Sequence, residues 1–159
     1  MDSLFHVGGK PFFSIGGQLN NSTSSDPALT EKAFKTCVGL GLNTVAAPVH
    51  WELFEKEEGA YDFAQIDMLM ELARRSGLRL VVLWFGTWKN GNSHYVPEWV
   101  KLQKERFLWA KANDGAEIRA LSPTCEETKK ADMRAFCELC GHIARNNADG
   151  CVIGIQIEN

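Results

Sequence analysis

Four clusters of polar and aromatic residues each follow an apolar run in this chain. Gln18, Asn20 and Asn21 follow the first run, and His50, Trp51 and Glu52 the second. Thr87, Trp88, Lys89 and Asn90 follow the third, and Glu158 and Asn159 the fourth. The set is rich in amides, carboxylates and indoles and contains one cation, Lys89. Such a mixture suits a neutral, polyhydroxylated ligand. Amides and carboxylates exchange directional hydrogen bonds with hydroxyls, and an indole face can cover the C–H face of a pyranose. Trp51 and Trp88 are the candidate stacking residues. Asn20, Asn21, Lys89, Asn90 and Asn159 are the candidates for hydroxyl contacts. A phosphate ligand would call for a glycine-rich loop with Lys or Arg, and neither a G-x-G-x-x-G nor a P-loop pattern occurs.

Metal and nucleic-acid chemistry find little support. Cysteines stand at 37, 125, 137, 140 and 151. Most fall on apolar helix faces or in a strand, as small buried hydrophobes do in a reducing compartment. Cys137 and Cys140 form a C-x-x-C pair in mid-helix with no second pair, and the four histidines show no His-x-x-x-His spacing. No metal or cofactor is therefore expected. Net charge is −3 with no basic stripe, which argues against a nucleic-acid partner. No apolar run approaches the roughly 20 residues of a membrane span. The opening residues lack the charged and apolar regions of a signal peptide, which predicts a cytoplasmic location or an N-terminus already removed.

The elements that would position these clusters alternate. Phe5 to Phe13 reads as a hairpin turning at Gly8-Gly9, with Phe12 to Gly16 as the first sheet strand. Asp26 as N-cap and Pro27 at the first helical position start a helix whose Thr30, Ala33, Phe34 and Cys37 share a face. Asn43 to Val49 is the second strand, followed by a charged loop from Trp51 to Tyr61. Asp62 and Gln65 have capping-box spacing ahead of Ile66, Leu69, Met70 and Ala73. Leu78 to Phe85 is a third strand, apolar enough to be buried on both faces. A long excursion from Gly86 to Pro123 follows, with a helix predicted over Pro97 to Ala110 and a turn at Asn113-Asp114-Gly115. Thr124 and Glu127 repeat the capping-box spacing, and Met133, Phe136, Cys140 and Ile143 mark the expected buried side of the next helix. Cys151 to Ile157 is the fourth strand.

The order is β-α-β-α-β-α-β, which implies parallel strands and right-handed crossovers. It is an α/β arrangement: the first four βα units, half of a TIM-type (β/α)8 barrel. The 159 residues make one unit, whereas a whole barrel typically needs about 250. Strands one and four would then be open edges, which predicts self-association through them.

Five motifs stand in order along the chain: Gly16-Gly-Gln-Leu-Asn-Asn-Ser22, Leu42-Asn-Thr-Val-Ala-Ala-Pro-Val-His-Trp-Glu52, Glu55-Lys-Glu-Glu-Gly-Ala-Tyr-Asp-Phe63, Leu83-Trp-Phe-Gly-Thr-Trp-Lys-Asn-Gly91 and Gln156-Ile-Glu-Asn159. In order and spacing they resemble a subgroup of family 35 glycoside hydrolases, and more weakly family 42. Lys56 replaces a proline of the family pattern, and Thr87 stands where many β-galactosidases of the family carry a sugar-binding glutamate. The resemblance implies a retaining two-carboxylate mechanism on a barrel domain, with terminal β-galactosides as substrates. It implies that the acid/base glutamate would follow Asn159, that the nucleophile belongs to a later strand, and that Asn159 bonds the sugar 2-hydroxyl. Glu158 receives a supporting role, and Glu52 and Glu55 read as loop or solvent charges. The chain, residues 1–159, would then hold part of the sugar pocket and neither catalytic carboxylate, and be inactive by itself. The alternative is a non-catalytic half-barrel that binds carbohydrate or self-associates.

Overall fold

A computed structural model describes residues 4–157; Glu158 and Asn159 fall outside them. β1 (His6–Val7) and β2 (Lys10–Pro11) form the expected hairpin, with Gly8 and Gly9 at φ 58° and 74°. The chain continues through β3 (Gly16–Gln18), α1 (Pro27–Gly39), β4 (Thr44–His50), α2 (Trp51–Phe54), α3 (Ala64–Ser76) and β5 (Arg79–Phe85). It then runs through α4 (Glu98–Leu102), β6 (Trp109–Lys111), β7 (Glu117–Leu121), α5 (Glu126–Asn146) and β8 (Val152–Gln156).

β3, β4, β5 and β8 form one parallel sheet in that order, with β3 and β8 at its edges. The helices cover one face. Val45, Ala47 and Val49 of β4 and Leu80, Val82 and Trp84 of β5 point that way and pack with Phe34, Leu69, Ala73, Ala135 and Leu139. The alternate residues face the other side. There Ala46, Val81, Gly154 and Gln156 are half-buried, while Leu83, His50 and Phe85 are buried, the last two beneath Tyr95 of the loop after β5. A parallel sheet with apolar character on both faces and helices on one is half of a (β/α) barrel, its inner face only partly covered.

Local chemistry explains the boundaries. The Asp26 carboxylate accepts from the N–H groups of Ala28 (2.8 Å) and Leu29 (3.0 Å), so the expected cap is in place. Gly77 ends α3 in the left-handed region at φ 68°. The first sheet strand begins later than its sequence suggests. The Asn43 side chain binds Ile15 N (2.8 Å) and Phe13 O (2.8 Å), replacing ladder bonds, and pairing starts at Gly16 opposite Thr44. The helix expected over Pro97 to Ala110 is one short turn. Its C-terminal part joins an antiparallel hairpin, β6 with β7, closed at the Asn113-Asp114-Gly115 turn, where Gly115 has φ 86°.

The buried face of α5 also differs from expectation. Thr128, Ala131, Ala135, Leu139 and Ile143 face the sheet, while Met133 is 57% exposed. Alanine at 131 and 135 lets the helix lie close to the strands, whereas side-chain size had pointed to Met133 and Phe136. Neither capping box forms. Asp62 does accept from Ala64 N at 2.9 Å, but Gln65 reaches into the sheet instead. Thr124 meets Ser122 (3.0 Å), and Glu127 pairs with Lys130 (3.2 Å). No helix among the described residues is long and apolar enough to cross a membrane.

Candidate functional site

The C-terminal ends of parallel strands gather side chains from separate loops, and the rim is therefore where a barrel keeps its ligand contacts. Its centre is His50, the last residue of β4, opposite Phe85, the last of β5. Tyr95, from the loop after β5, stacks on His50 with ring centroids 4.9 Å apart and 18° between planes. Phe85 meets His50 edge-on at 5.6 Å. The Lys89 ammonium lies 4.6 Å from the Phe85 ring centroid.

His50 is buried, and its hydrogen bonds fix one tautomer. Gln65 of α3 accepts from His50 N (3.0 Å) and donates through Nε2 to His50 Nδ1 (3.0 Å). The other ring nitrogen, Nε2–H, then donates to Asn21 O (2.7 Å). Gln65 also binds Ser24 O (3.0 Å), and Ser24 donates to Pro48 O (2.6 Å). One glutamine from the outer helix thus fastens the first-strand loop to the end of β4. Burial pushes the His50 pKa below its ordinary value; the bond to Asn21 and the Glu52 charge oppose that without cancelling it. The unfolded chain accepts a proton that the folded chain refuses. Stability should be full above the ordinary histidine pKa, roughly 6.5, and fall as pH drops through it. Urea midpoints measured across that window should decline for the parent chain and change less for His50→Phe. Equal slopes would remove His50 as the cause.

Asp132 of α5 builds the third-strand exit. Its carboxylate accepts from Trp84 Nε1 (2.7 Å), Thr87 N (2.9 Å) and the Thr87 hydroxyl. Gly86 makes room: a Cβ there would lie 2.6 Å from an Asp132 oxygen. The Thr87 hydroxyl is therefore directed at the outer helix. Beyond it, Trp88 donates to Leu121 O (3.0 Å), and Asn90 takes φ 52° in a tight Lys89–Asn92 turn.

The candidates from the sequence divide into groups. Asn20, exposed, and Asn21, half-buried, border an open hollow of about 600 Å³ with Gln18, Ser22 and Thr23. Trp88 lines a different cavity of about 330 Å³, with Trp84, Met133, Phe136 and Ile157. Lys89 is 6% exposed, so it is no surface loop residue, while Asn90 is exposed. Trp51 is a correction. It is fully buried, its ring meets Trp99 edge-on at 6.1 Å, and its Nε1 donates to Glu55 Oε2 (2.6 Å). It has no free face for a sugar and serves the core. Asn159 lies outside the described residues.

Carboxylates near the rim are held by structural partners. Glu55 is 1% exposed, against its reading as a loop or solvent charge, and also accepts from Gly59 N (2.8 Å). Burial pushes its pKa up. Glu52 pairs with Lys101 at 3.4 Å. Among the described residues, no three His, Cys, Asp or Glu side chains are placed to hold a metal ion. Gln65, Tyr95 and Asp132 escaped the sequence reading. Gln65 was hidden by its capping-box spacing, and Tyr95 and Asp132 lie 45 and 82 residues from His50.

The parallel half-barrel with a polar rim is the framework of the barrel glycosidases, and comparison with known proteins agrees. The chain matches the family described as glycosyl hydrolases family 35 over residues 4–159, and it belongs to that family. It is 23% identical over 154 residues to a β-galactosidase of Xanthomonas manihotis, covering 95% of this chain and 24% of that protein. It is 32% identical over 87 residues to an exo-β-D-glucosaminidase of Pyrococcus horikoshii, covering 48% of this chain and 11% of that one. The chain thus spans a quarter or less of the length of these relatives. Among solved structures, the exo-β-1,4-mannosidase Op5Man5 of Opitutaceae bacterium strain TAV5 superposes with a TM-score of 0.70 at 19% identity, over 100% of this chain and 27% of that one. The catalytic domain of a β-amylase from Paenibacillus polymyxa gives 0.65 at 20% identity, over 88% of this chain and 35% of that one.

Proposed function

We propose that this chain is the N-terminal, sugar-gripping half of a retaining glycosidase acting on terminal β-galactosides. The observation that carries the reading is the family 35 match, which runs from residue 4 to residue 159 and so through all four parallel strands. In such an enzyme one carboxyl group protonates the leaving oxygen and later activates water. The other, about 5–5.5 Å away, attacks the anomeric carbon. Glu52, Glu55 and Asp132 are engaged elsewhere, so we assign neither role to them. The acid/base would follow Asn159 and the nucleophile would come from a later strand. The chain's own part is to bind and orient: Asn20 and Asn21 on the first loop, Asn90 after β5 and Asn159 at the 2-hydroxyl, while Trp88, which lines a separate cavity, and Lys89, buried over Phe85, hold the loop after β5 in place. The galactoside preference draws on the relative named β-galactosidase.

The test uses the purified chain with a chromogenic β-galactoside and with galactose titrated against mannose. The expected result is no turnover and weak binding that favours galactose. Asn21→Ala should weaken that binding by about tenfold, roughly 1.4 kcal/mol. Turnover abolished by Glu158→Gln would overturn the assignment of that residue. Binding with no turnover is also what a non-catalytic carbohydrate module would give. Joining the chain to the remaining barrel of a family member separates the two, since only the glycosidase reading predicts restored hydrolysis.

A further inference from the structure

Gln65, the second residue of α3, directs its whole amide at the end of β4 and the first loop. The backbone N–H of His50 needs an acceptor, so Gln65 Oε1 faces it (3.0 Å). Gln65 Nε2 then points its two hydrogens at Ser24 O (3.0 Å) and His50 Nδ1 (3.0 Å). A backbone N–H only donates and a backbone carbonyl only accepts, so the amide cannot turn over. Nδ1 is obliged to accept, and the ring proton sits on Nε2, 2.7 Å from Asn21 O. Ser24, 1% exposed, secures the loop further along through Pro48 O (2.6 Å). β3 ends at Gln18, and the two asparagines beyond it are tied back by a turn bond from Thr23 N to Asn20 O (3.0 Å) and by His50. Every partner lies between Asn20 and Gln65, so two adjoining βα units complete the arrangement.

We propose that Gln65 is a positioning residue of the sugar site: it acts through His50 to hold the Asn21 backbone, and so sets where the Asn20 and Asn21 side chains meet a sugar. The inference rests on the sugar reading above. The polarity of position 65 decides which form of His50 can provide the hold. With glutamine the neutral ring fits, and an imidazolium would set its Nδ1–H against the Gln65 N–H. With glutamate the carboxylate would accept from Nδ1–H, so the protonated ring fits and Nε2–H keeps its bond to Asn21 O. A neutral ring beside glutamate carries its proton on Nδ1 and turns a bare Nε2 to Asn21 O, two acceptors face to face. The charged and titratable groups around the ring are common to both proteins. They are Glu52 on α2, paired with Lys101 (3.4 Å), Tyr95 stacked on the ring, and Lys89 over Phe85. They act on both proteins alike, so a difference in pH profile belongs to position 65.

The galactose affinity of the full chain, measured from about pH 4 to pH 8, tests the proposal. In the parent it should fall roughly tenfold as pH drops and His50 takes up a proton. In Gln65→Glu it should fall by a similar factor as pH rises and His50 loses that proton, so the slope reverses. This variant gives up the bond to Ser24 O at every pH, which lowers affinity without adding a slope. A glutamate in the first turn of α3 suits the helix dipole, so the variant should fold. Gln65→Met, which has no polar end, should weaken binding at every pH. Nitrogen NMR of the histidine rings reads the form directly: Nε2–H with a bare Nδ1 in the parent at neutral pH, and both nitrogens protonated in Gln65→Glu. Parallel pH profiles in the two proteins, as a merely structural glutamine would give, overturn the proposal, and so does an Nδ1–H ring in the parent. If the parent binds no galactose, the sugar reading fails, and the hold on the loop is judged on the Asn21 carbonyl carbon. Its chemical shift should follow the His50 titration and move to higher pH with Gln65→Glu; a shift that ignores the substitution overturns the hold.

Discussion

Trp51→Ala should destabilise the chain by about 3–5 kcal/mol, the usual cost of emptying a packed aromatic site. That is a large part of the 5–15 kcal/mol that typically separates folded from unfolded domains. The indole is fully buried against Trp99, and its loss also withdraws a donor from Glu55. That carboxylate would keep the Gly59 N–H but lose the Trp51 N–H, in a site where burial already disfavours its charge. Trp51→Phe retains most of the ring volume and removes the N–H, so it should cost less, about 1–3 kcal/mol. Urea unfolding followed by circular dichroism measures both. A stable Trp51→Ala chain whose only defect is lost sugar binding would return this residue to the stacking role its sequence position suggests.

Asp132→Ala is the second large effect. Three donors converge on this carboxylate, and Trp84 and Thr87, which supply them, are each 2% exposed. Each buried donor left without an acceptor costs about 1–3 kcal/mol, so a total of roughly 3 kcal/mol or more is expected. Asp132→Asn retains one acceptor oxygen and should fall between. Gly86→Ala attacks the same clamp from the other side, because its Cβ would press on the carboxylate and on the Trp84 indole nitrogen. Both changes release the exit of β5, and the nearest reporter is Trp88, whose indole is tied to Leu121 O. Its fluorescence should shift in Asp132→Ala and Gly86→Ala alike. Unfolding midpoints within experimental error of the parent would show that the clamp contributes no stability.

Much of the framework was legible without coordinates. The apolar runs at Asn43 to Val49 and Leu78 to Phe85, separated by a capped, periodic helix, leave few alternatives to parallel neighbours with a crossover. Asp26-Pro27 and Gly77 act through bonds to their nearest neighbours, so local sequence suffices to place them. The first strand was misjudged because Asn43, some 30 residues away, replaces ladder bonds at Phe13 and Ile15. The helix expected after Pro97 stops at Leu102, and its last two residues, Trp109 and Ala110, belong instead to a strand paired with Glu117 to Leu121, a partner that local sequence does not reveal. For α5, apolar size drew attention to Met133 and Phe136, whereas closeness to the sheet selected Ala131 and Ala135.

The sequence alone determined the alternation of strands and helices, the family, and which loops end at the rim. These depend on residue spacing along the chain, which periodicity and motif order record directly. The tertiary structure decided which rim residues are available. Trp51, Glu55 and Asp132 carry side chains that could serve a ligand, but each is engaged by groups brought to it by folding. The same holds for His50, whose neutral tautomer is set by Gln65 of an outer helix and Asn21 of a separate loop. Burial and hydrogen-bond partnership are properties of what surrounds a residue, and for these residues the deciding neighbours are largely supplied by distant parts of the chain.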